Sequence, residues 1–353
     1  MDLCAGLVRI HGMRKKLALA LTLALCGVGL AATPAAAKGP GSLIAPQGIA
    51  RDGSPYRYLT LSPGYPDRLT VVARIDRRGG KVRRWWYLNG AYAVPAVAYD
   101  GTAGGLSADG ATLVLTRHDP RPHSGPPVTR LAIMETDRPT RTAFGESHDP
   151  FVHFANLKGE WGLVALSPDG ATAFVSHYLT GVEEIRPGLY RPLHPGTDDL
   201  AVRALDTASG RLLPGPILDR DGNRDRLDGI PYQQAGTRDG SWTYTLYAGD
   251  RRKPFVYALD TVHGRGTRID LPLEGVREPY SLKLRLGHLG QSLSVSRRWQ
   301  VHGRMVERTL ATIDTATLRA RRPRPEAVAS TDSLLQRALG LALGALIPRV
   351  GED

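Results

Sequence analysis

The sequence predicts an all-β protein, a β-propeller of four-stranded antiparallel blades, and three observations carry that prediction. One phrase recurs as SADGATLVLTRH at 107–118, SPDGATAFVSHY at 167–178 and TRDGSWTYTLYAG at 237–249. A second phrase answers it: VRALDTASGRLLPG at 202–215, VYALDTVHGRGTRIDLP at 256–272 and LATIDTATLRARRP at 310–323. The copies are evenly spread, with Asp109, Asp169 and Asp239 standing 60 and 70 residues apart.

The first phrase reads as strand, tight turn, strand. Asp109-Gly110, Asp169-Gly170 and Asp239-Gly240 are turn dipeptides, because glycine accepts positive φ and aspartate bonds to the nearby backbone. Their flanks are rich in β-formers. The second phrase adds an apolar strand, an Asp-Thr and, in its first two copies, a glycine turn into another extended segment. Together they give four strands per unit. Weaker copies occur at RDGSPYRYLTLS (51–62), VARIDRRGGKVRRWWYL (72–88), LAIMETDRPTRTAF (131–144) and LGHLGQSLSVSR (286–297), which makes five units between Ile44 and about Arg322. A small sheet cannot bury both of its faces alone, and radial packing lets each cover its neighbour. Propeller blades are commonly about 40–50 residues long, so a count of six or seven remains compatible with this spacing.

The totals agree with a large core. The chain has 353 residues, 42% hydrophobic, and its Gly 40 and Pro 26 are scattered between apolar runs as turn signals. The N-terminus reads as an export signal. Arg14, Lys15 and Lys16 precede an apolar run from Leu17 to Leu30, and Ala35, Ala36 and Ala37 offer a small-residue cleavage site between Ala37 and Lys38. Residues before Met13 add nothing to such a signal, which places the expected true start at Met13. The expected organisation is a signal peptide over 1–37, a propeller over 44–322, and a basic linker with a short C-terminal helix over 323–353. Secretion follows, to the exterior or to the cell envelope.

Both cysteines, Cys4 and Cys26, fall in or before the leader, so a cysteine-free mature chain is expected. That excludes disulfides, a thiolate nucleophile and Cys-ligated zinc from its chemistry. The formal charge is +12, and removing four basic residues and one acidic residue with 1–37 leaves 12 − 3 = +9. For an exported protein, such charge suits an anionic envelope polymer or a lipid headgroup; nucleic acid is not an expected partner.

These phrases resemble the YVTN-type and lactonase-like propellers. The stretches VPAVAYDGTAGGLSADGATLVL (94–115), LVALSPDGATAFVSHYL (163–179), AVRALDTASGRLLPGPILD (201–219) and RDGSWTYTLYAGDRRKPFVYALDT (238–261) are similar to secreted actinobacterial WD40-like proteins of unassigned function. The resemblance covers roughly residues 50–320. It implies the fold and leaves the chemistry open, because its motifs describe turns and strands.

Candidates for chemistry are few. His118 and His177 end equivalent strands, while His123, His148, Asp149 and His153 lie in connecting segments; convergence at a channel mouth would give a lactonase-like hydrolase. Ser147, His148 and Asp149 are adjacent and so cannot adopt a triad geometry. Asp219, Asp221, Asn223 and Asp225 alternate as in a calcium loop, but Arg224 and Ile230 stand where that loop needs Gly and Glu. An Arg/Asp-laced surface loop is the better reading, and no metal or other cofactor is expected. Trp85, Trp86, Trp161, Trp242 and Trp299 read as core between blades. The segment STDSLLQRALGLALGALIP (330–348) is a short helix for docking or membrane-surface contact. The leading expectation is a monomeric binding or scaffold module for a glycan, peptide or protein, with a channel-mouth hydrolase as the alternative.

Overall fold

A computed structural model of the chain describes residues 44–61, 69–117, 128–137, 151–178, 182–186, 189–192, 201–218, 227, 229–249, 252–273, 281–301 and 304–323. The expected leader with Cys4, Cys26, Ala37 and Lys38 lies outside these residues. So do His118, His123, His148, Asp149, the loop from Asp219 through Asp221 and Asn223 to Asp225, and the C-terminal segment.

Each repeat folds into one antiparallel meander, and the five meanders form a β-propeller. Sheet 1 holds β1 (Tyr56–Leu61), β2 (Leu69–Asp76) and β3 (Val82–Asn89). A fourth row begins at Ile49, which exchanges both backbone hydrogen bonds with Tyr58 at 2.9 and 2.7 Å. Sheet 2 holds β4 (Tyr92–Ala93), β5 (Thr112–Arg117), β6 (Val128–Glu135) and β7 (Val152–Lys158). Sheet 3 starts with β8 (Glu160–Leu166) and β9 (Thr172–Tyr178). A separate hairpin of β10 (Val182–Arg186) and β11 (Leu189–Pro192) interrupts it before β12 (Ala201–Asp206) and β13 (Arg211–Leu212) complete the sheet. Sheet 4 comprises β14 (Ile230–Gly236), β15 (Trp242–Gly249), β16 (Arg252–Asp260) and β17 (Arg265–Asp270). Sheet 5 comprises β18 (Leu282–Leu286), β19 (Ser292–Val301), β20 (Arg304–Asp314) and β21 (Arg319–Arg321).

The core sits between sheets, as alternation along a strand requires. Leu113 and Leu115 of β5 pack with Val72 and Trp86 of sheet 1, while Val114 between them packs with Leu163 and Val175 of sheet 3. Phe174 points the other way and meets Tyr247, Phe255 and Tyr257 of sheet 4. The opposite face of sheet 4, with Tyr244, Leu246 and Val256, packs against Leu282, Leu293 and Val295 of sheet 5. Burial of one such side chain is worth roughly 1.5–3 kcal/mol, and every internal sheet supplies two such faces.

Inner strands are tied directly. On β14, Gln233 and Gln234 reach opposite neighbours: the Gln233 side-chain oxygen accepts from the Leu284 amide at 2.7 Å, and the Gln234 side-chain nitrogen donates to the Val164 carbonyl at 3.0 Å. The curvature brings non-consecutive sheets together as well. Amides of Tyr99 and Asp100, in the β4–β5 connection, donate to the carbonyls of Pro231 and Tyr232 at 2.9 and 3.1 Å.

The two repeated phrases lock onto each other within a sheet. After the acidic residue that ends the third strand, Glu135 in sheet 2 and an aspartate in sheets 3 to 5, comes a threonine, and its hydroxyl donates to the carbonyl of the turn glycine. The pairs are Thr136 with Gly110 (2.5 Å), Thr207 with Gly170 (2.8 Å), Thr261 with Gly240 (2.5 Å) and Thr315 with Gly290 (2.8 Å). Sheet 1 carries Arg77 at this place, whose guanidinium donates to the Arg51 and Ser54 carbonyls at 3.3 Å. The aspartate itself closes the outer turn by accepting amide hydrogens two and three residues ahead, as Asp260 does from Val262 and His263 at 3.0 Å. That turn ends on a left-handed residue: Gly80, Gly210 and Gly264 in sheets 1, 3 and 4, but Leu318 (φ 55°) in sheet 5. Among the described residues Leu318 is the only non-glycine with positive φ.

Candidate functional site

The Asp-Gly turns of the first phrase gather at one end of the propeller. The Asp109 amide donates to the Pro168 carbonyl at 3.1 Å, so the turns of sheets 2 and 3 touch. A methyl group at Gly240 would meet the Ala108 side chain at 2.6 Å, which puts the turn of sheet 4 against that of sheet 2.

Between sheets 2 and 3 at this end lies an open cleft of about 360 Å³. Its sheet 2 wall follows from register: Thr112 pairs with Glu135 and Ile133 with His153, so these four side chains share one face. The facing wall is made of the turn Asp169–Ala171 and of Thr207 and Ala208. Asp137 closes one side, and its carboxylate stands 3.9 Å from the Arg74 guanidinium of sheet 1.

Most of these polar groups are already committed to holding the fold. The Asp169 carboxylate accepts from the Ser167 hydroxyl at 2.6 Å and from the Ala171 amide at 3.0 Å, and these bonds hold its pKa below the usual carboxylate range. Thr207, buried at 7% exposure, donates to the Gly170 carbonyl and lies within 2.9 Å of that of Ala171. The lining thus carries three carboxylates, those of Glu135, Asp137 and Asp169, the second of them beside the Arg74 guanidinium, with small side chains around an imidazole.

The described histidines separate. His153 starts β7 beside the Asp-Gly turns, whereas His177 lies near the far end of β9. There it packs on the Trp161 indole, with ring centroids 4.4 Å apart, and Gly159 leaves room for its Nε2. Burial, reinforced by the Arg203 charge, lowers the His177 pKa and so favours the neutral ring. Nearby, burial raises the pKa of Glu160. No three His, Cys, Asp or Glu side chains are arranged to hold a metal ion among the described residues. None of the helices among those residues is long and apolar enough to cross a membrane. Of the cleft residues, the sequence singled out His153, Asp169 and Gly170, the last two as turn formers. Glu135, Asp137 and Thr207 carried no site signal beyond the repeat, because isolated carboxylates without spacing or a partner motif look like any solvated surface.

Trp86 and Trp161 are core residues between sheets, as expected, and Trp242 is partly buried against the core of sheets 4 and 5, whereas Trp299, expected in the core, is only half-buried because it pairs with Val306 beyond the last rung of β18 with β19. Trp85 is half exposed, because it neighbours Trp86 on a strand and so points to the opposite face.

No family model matches the chain, and no curated protein matches it. Solved structures show distant similarity to propeller-containing proteins. TolB from Acinetobacter baumannii matches at a TM-score of 0.35 and 13% identity, over 75% of this chain and 51% of that one. A puromycin hydrolase matches at 0.40 and 15% identity, over 78% of this chain and 37% of that one. A hypothetical selenium-binding protein from Sulfolobus tokodaii matches at 0.31 and 12% identity, over 78% and 65%. The chain thus spans about half the length of the TolB structure and little more than a third of the puromycin hydrolase.

Proposed function

We propose that the protein is a binding or scaffold module of the cell exterior or envelope, and that the cleft between sheets 2 and 3 receives a basic side chain or amino group of a peptide, protein or glycan. The observation that carries this reading is the set of Glu135, Asp137 and Asp169 around one cleft in a chain whose formal charge is +12. A local negative surface on a positive molecule selects its cationic visitor against the field of the whole chain. Binding asks nothing more of Asp169 and Thr207, which already serve the turn. The alternative, a hydrolase at a channel mouth, needs an activated nucleophile or water beside His153. His118, His123, His148 and Asp149 are the groups that would have to supply it.

The test is an array of short peptides and amino-sugar oligomers, differing in cationic content, presented to the mature chain and to the variant E135Q/D137N. Binding of cationic members, weakened about tenfold or more in the variant and by 0.5 M salt, supports the reading. Equal binding of neutral members, or turnover of an ester or lactone that vanishes in His153→Ala, overturns it.

A further inference from the structure

Sheet 5 carries a projecting ribbon. Among the described residues, strands β19 and β20 continue past their neighbours: β18 pairs β19 as far as Arg297, and β21 pairs β20 from Thr312 onward. Four rungs stand beyond the sheet, Arg298 with Glu307, Trp299 with Val306, Gln300 with Met305 and Val301 with Arg304. At ~3.4 Å per residue, that ribbon reaches about 14 Å beyond the last residue paired with β18.

Its two faces are unlike near the base and alike near the tip. On one face Arg298, Glu307 and Ser296 form a network, with Glu307 accepting from the Ser296 hydroxyl at 2.7 Å and from the Arg285 and Arg298 guanidinium groups at 3.2 Å. The other face carries the Trp299–Val306 rung between the Arg297–Arg308 and Val301–Arg304 rungs. Further out, each face carries one exposed apolar side chain: Val301, 38% exposed, beside Arg304 on one, and Met305, 62% exposed, beside Gln300 on the other. Residues 297–308 hold four arginines against one glutamate, a net charge of +3.

We propose that this ribbon is a membrane-surface contact, inserting its Trp299, Val301, Met305 and Val306 end into the headgroup region of an anionic phospholipid bilayer. Two features select this occupant. A protein partner covers one face of a ribbon, whereas a fluid interface surrounds both, and here each face of the tip exposes an apolar side chain, Val301 on one and Met305 on the other. The arginines ring the apolar end, in the arrangement that lets side chains enter the interface while their cations remain at phosphate level. An indole also prefers that depth. This contact is independent of the cleft between sheets 2 and 3, and of the C-terminal segment.

The test is co-sedimentation of the mature chain with large vesicles of phosphatidylcholine alone or with 30% phosphatidylglycerol, at low and high salt. Binding to the anionic vesicles only, weakened by salt, is expected. Each interfacial arginine contributes about fivefold in affinity, so R304Q/R308Q binds roughly 30-fold more weakly. M305S/V301S should lower binding by a similar order, and brominated lipids should quench a fluorescence component missing in Trp299→Phe. Because these positions lie outside the core, thermal melts of the variants match the parent. The proposal is overturned by absence of binding, by equal binding to phosphatidylcholine alone, or by binding that survives these variants and is lost on removal of residues 324–353. Self-association through the ribbon without vesicle binding overturns it too.

Discussion

The Thr207 hydroxyl donates to the carbonyl of Gly170 across 37 positions of sequence, at 2.8 Å, and so ties the third strand of its sheet to the turn between the first two. The same clasp occurs in four sheets, which makes the threonine after the third strand a structural partner of the turn glycine of the first phrase. Replacing Thr207 by valine keeps the shape and removes the hydroxyl donor from the buried Gly170 carbonyl, while the Ala171 carbonyl keeps the Thr207 amide. We expect a loss of about 1–2 kcal/mol by urea denaturation, with Thr207→Ser close to the parent. Amide exchange should accelerate first at the turn 167–172.

Equivalent turn glycines should not be equally replaceable. Gly110 and Gly240 share nearly the same backbone, φ 79° and 74°, yet a methyl at Gly110 meets nothing within 4 Å while one at Gly240 meets Ala108 at 2.6 Å. The backbone conformation alone costs Gly110→Ala about 1–2 kcal/mol. Gly240→Ala must add the clash between two turns, so a further ~1–3 kcal/mol is expected. Paired thermal melts check the difference.

Leu318 tests which of two effects prevails. It holds a left-handed conformation that its counterparts give to glycine, at a cost of about 1–2 kcal/mol. It also buries its side chain at 8% exposure in the core between sheets 4 and 5. Truncating a buried leucine commonly costs about 2–5 kcal/mol, so Leu318→Gly should destabilise despite relieving the backbone. A more stable variant in chemical denaturation would mean that this packing is worth less than the strain.

Acid sensitivity should appear before the carboxylates titrate. His177 has its pKa lowered in the folded state, mainly by burial, so the unfolded chain binds the proton more readily. Its contribution is intact above the unfolded value of about 6.5 and is lost as pH falls from there through the folded value. Glu160, raised by burial, has the opposite sign: its term favours folding below its unfolded value and fades as pH rises through the folded one. Asp169 and Asp206, lowered by hydroxyl and amide hydrogen bonds, lose their contributions only at lower pH, below the unfolded carboxylate value. Urea midpoints at pH 7.5 and 5.5 should therefore converge in His177→Phe.

Local chemistry made the sheets legible in the sequence. Asp169-Gly170 and Asp239-Gly240 announce turns because the signal lies within two residues, and five repeats gave five sheets even where the copy was as worn as 286–297. The cleft was less visible, since Glu135 and His153 come together only through the register of β6 with β7 and of β5 with β6. Thr207 stood in a quoted phrase, but its repetition reads as strand ending until the turn it clasps is in view. The ribbon of sheet 5 was hidden for another reason: its alternation from Arg297 to Arg308 continues a strand beyond the repeat, and the repeat was what drew attention.

Sheet 3 accepts the β10–β11 hairpin between β9 and β12 without losing a rung, with His177 still facing Ala201 and Thr172 facing Asp206. That link is consequently a graft point. Its length and content are decoupled from the ladder beneath it, so new loops, epitopes or small modules can be spliced there while the barrel of blades keeps its geometry.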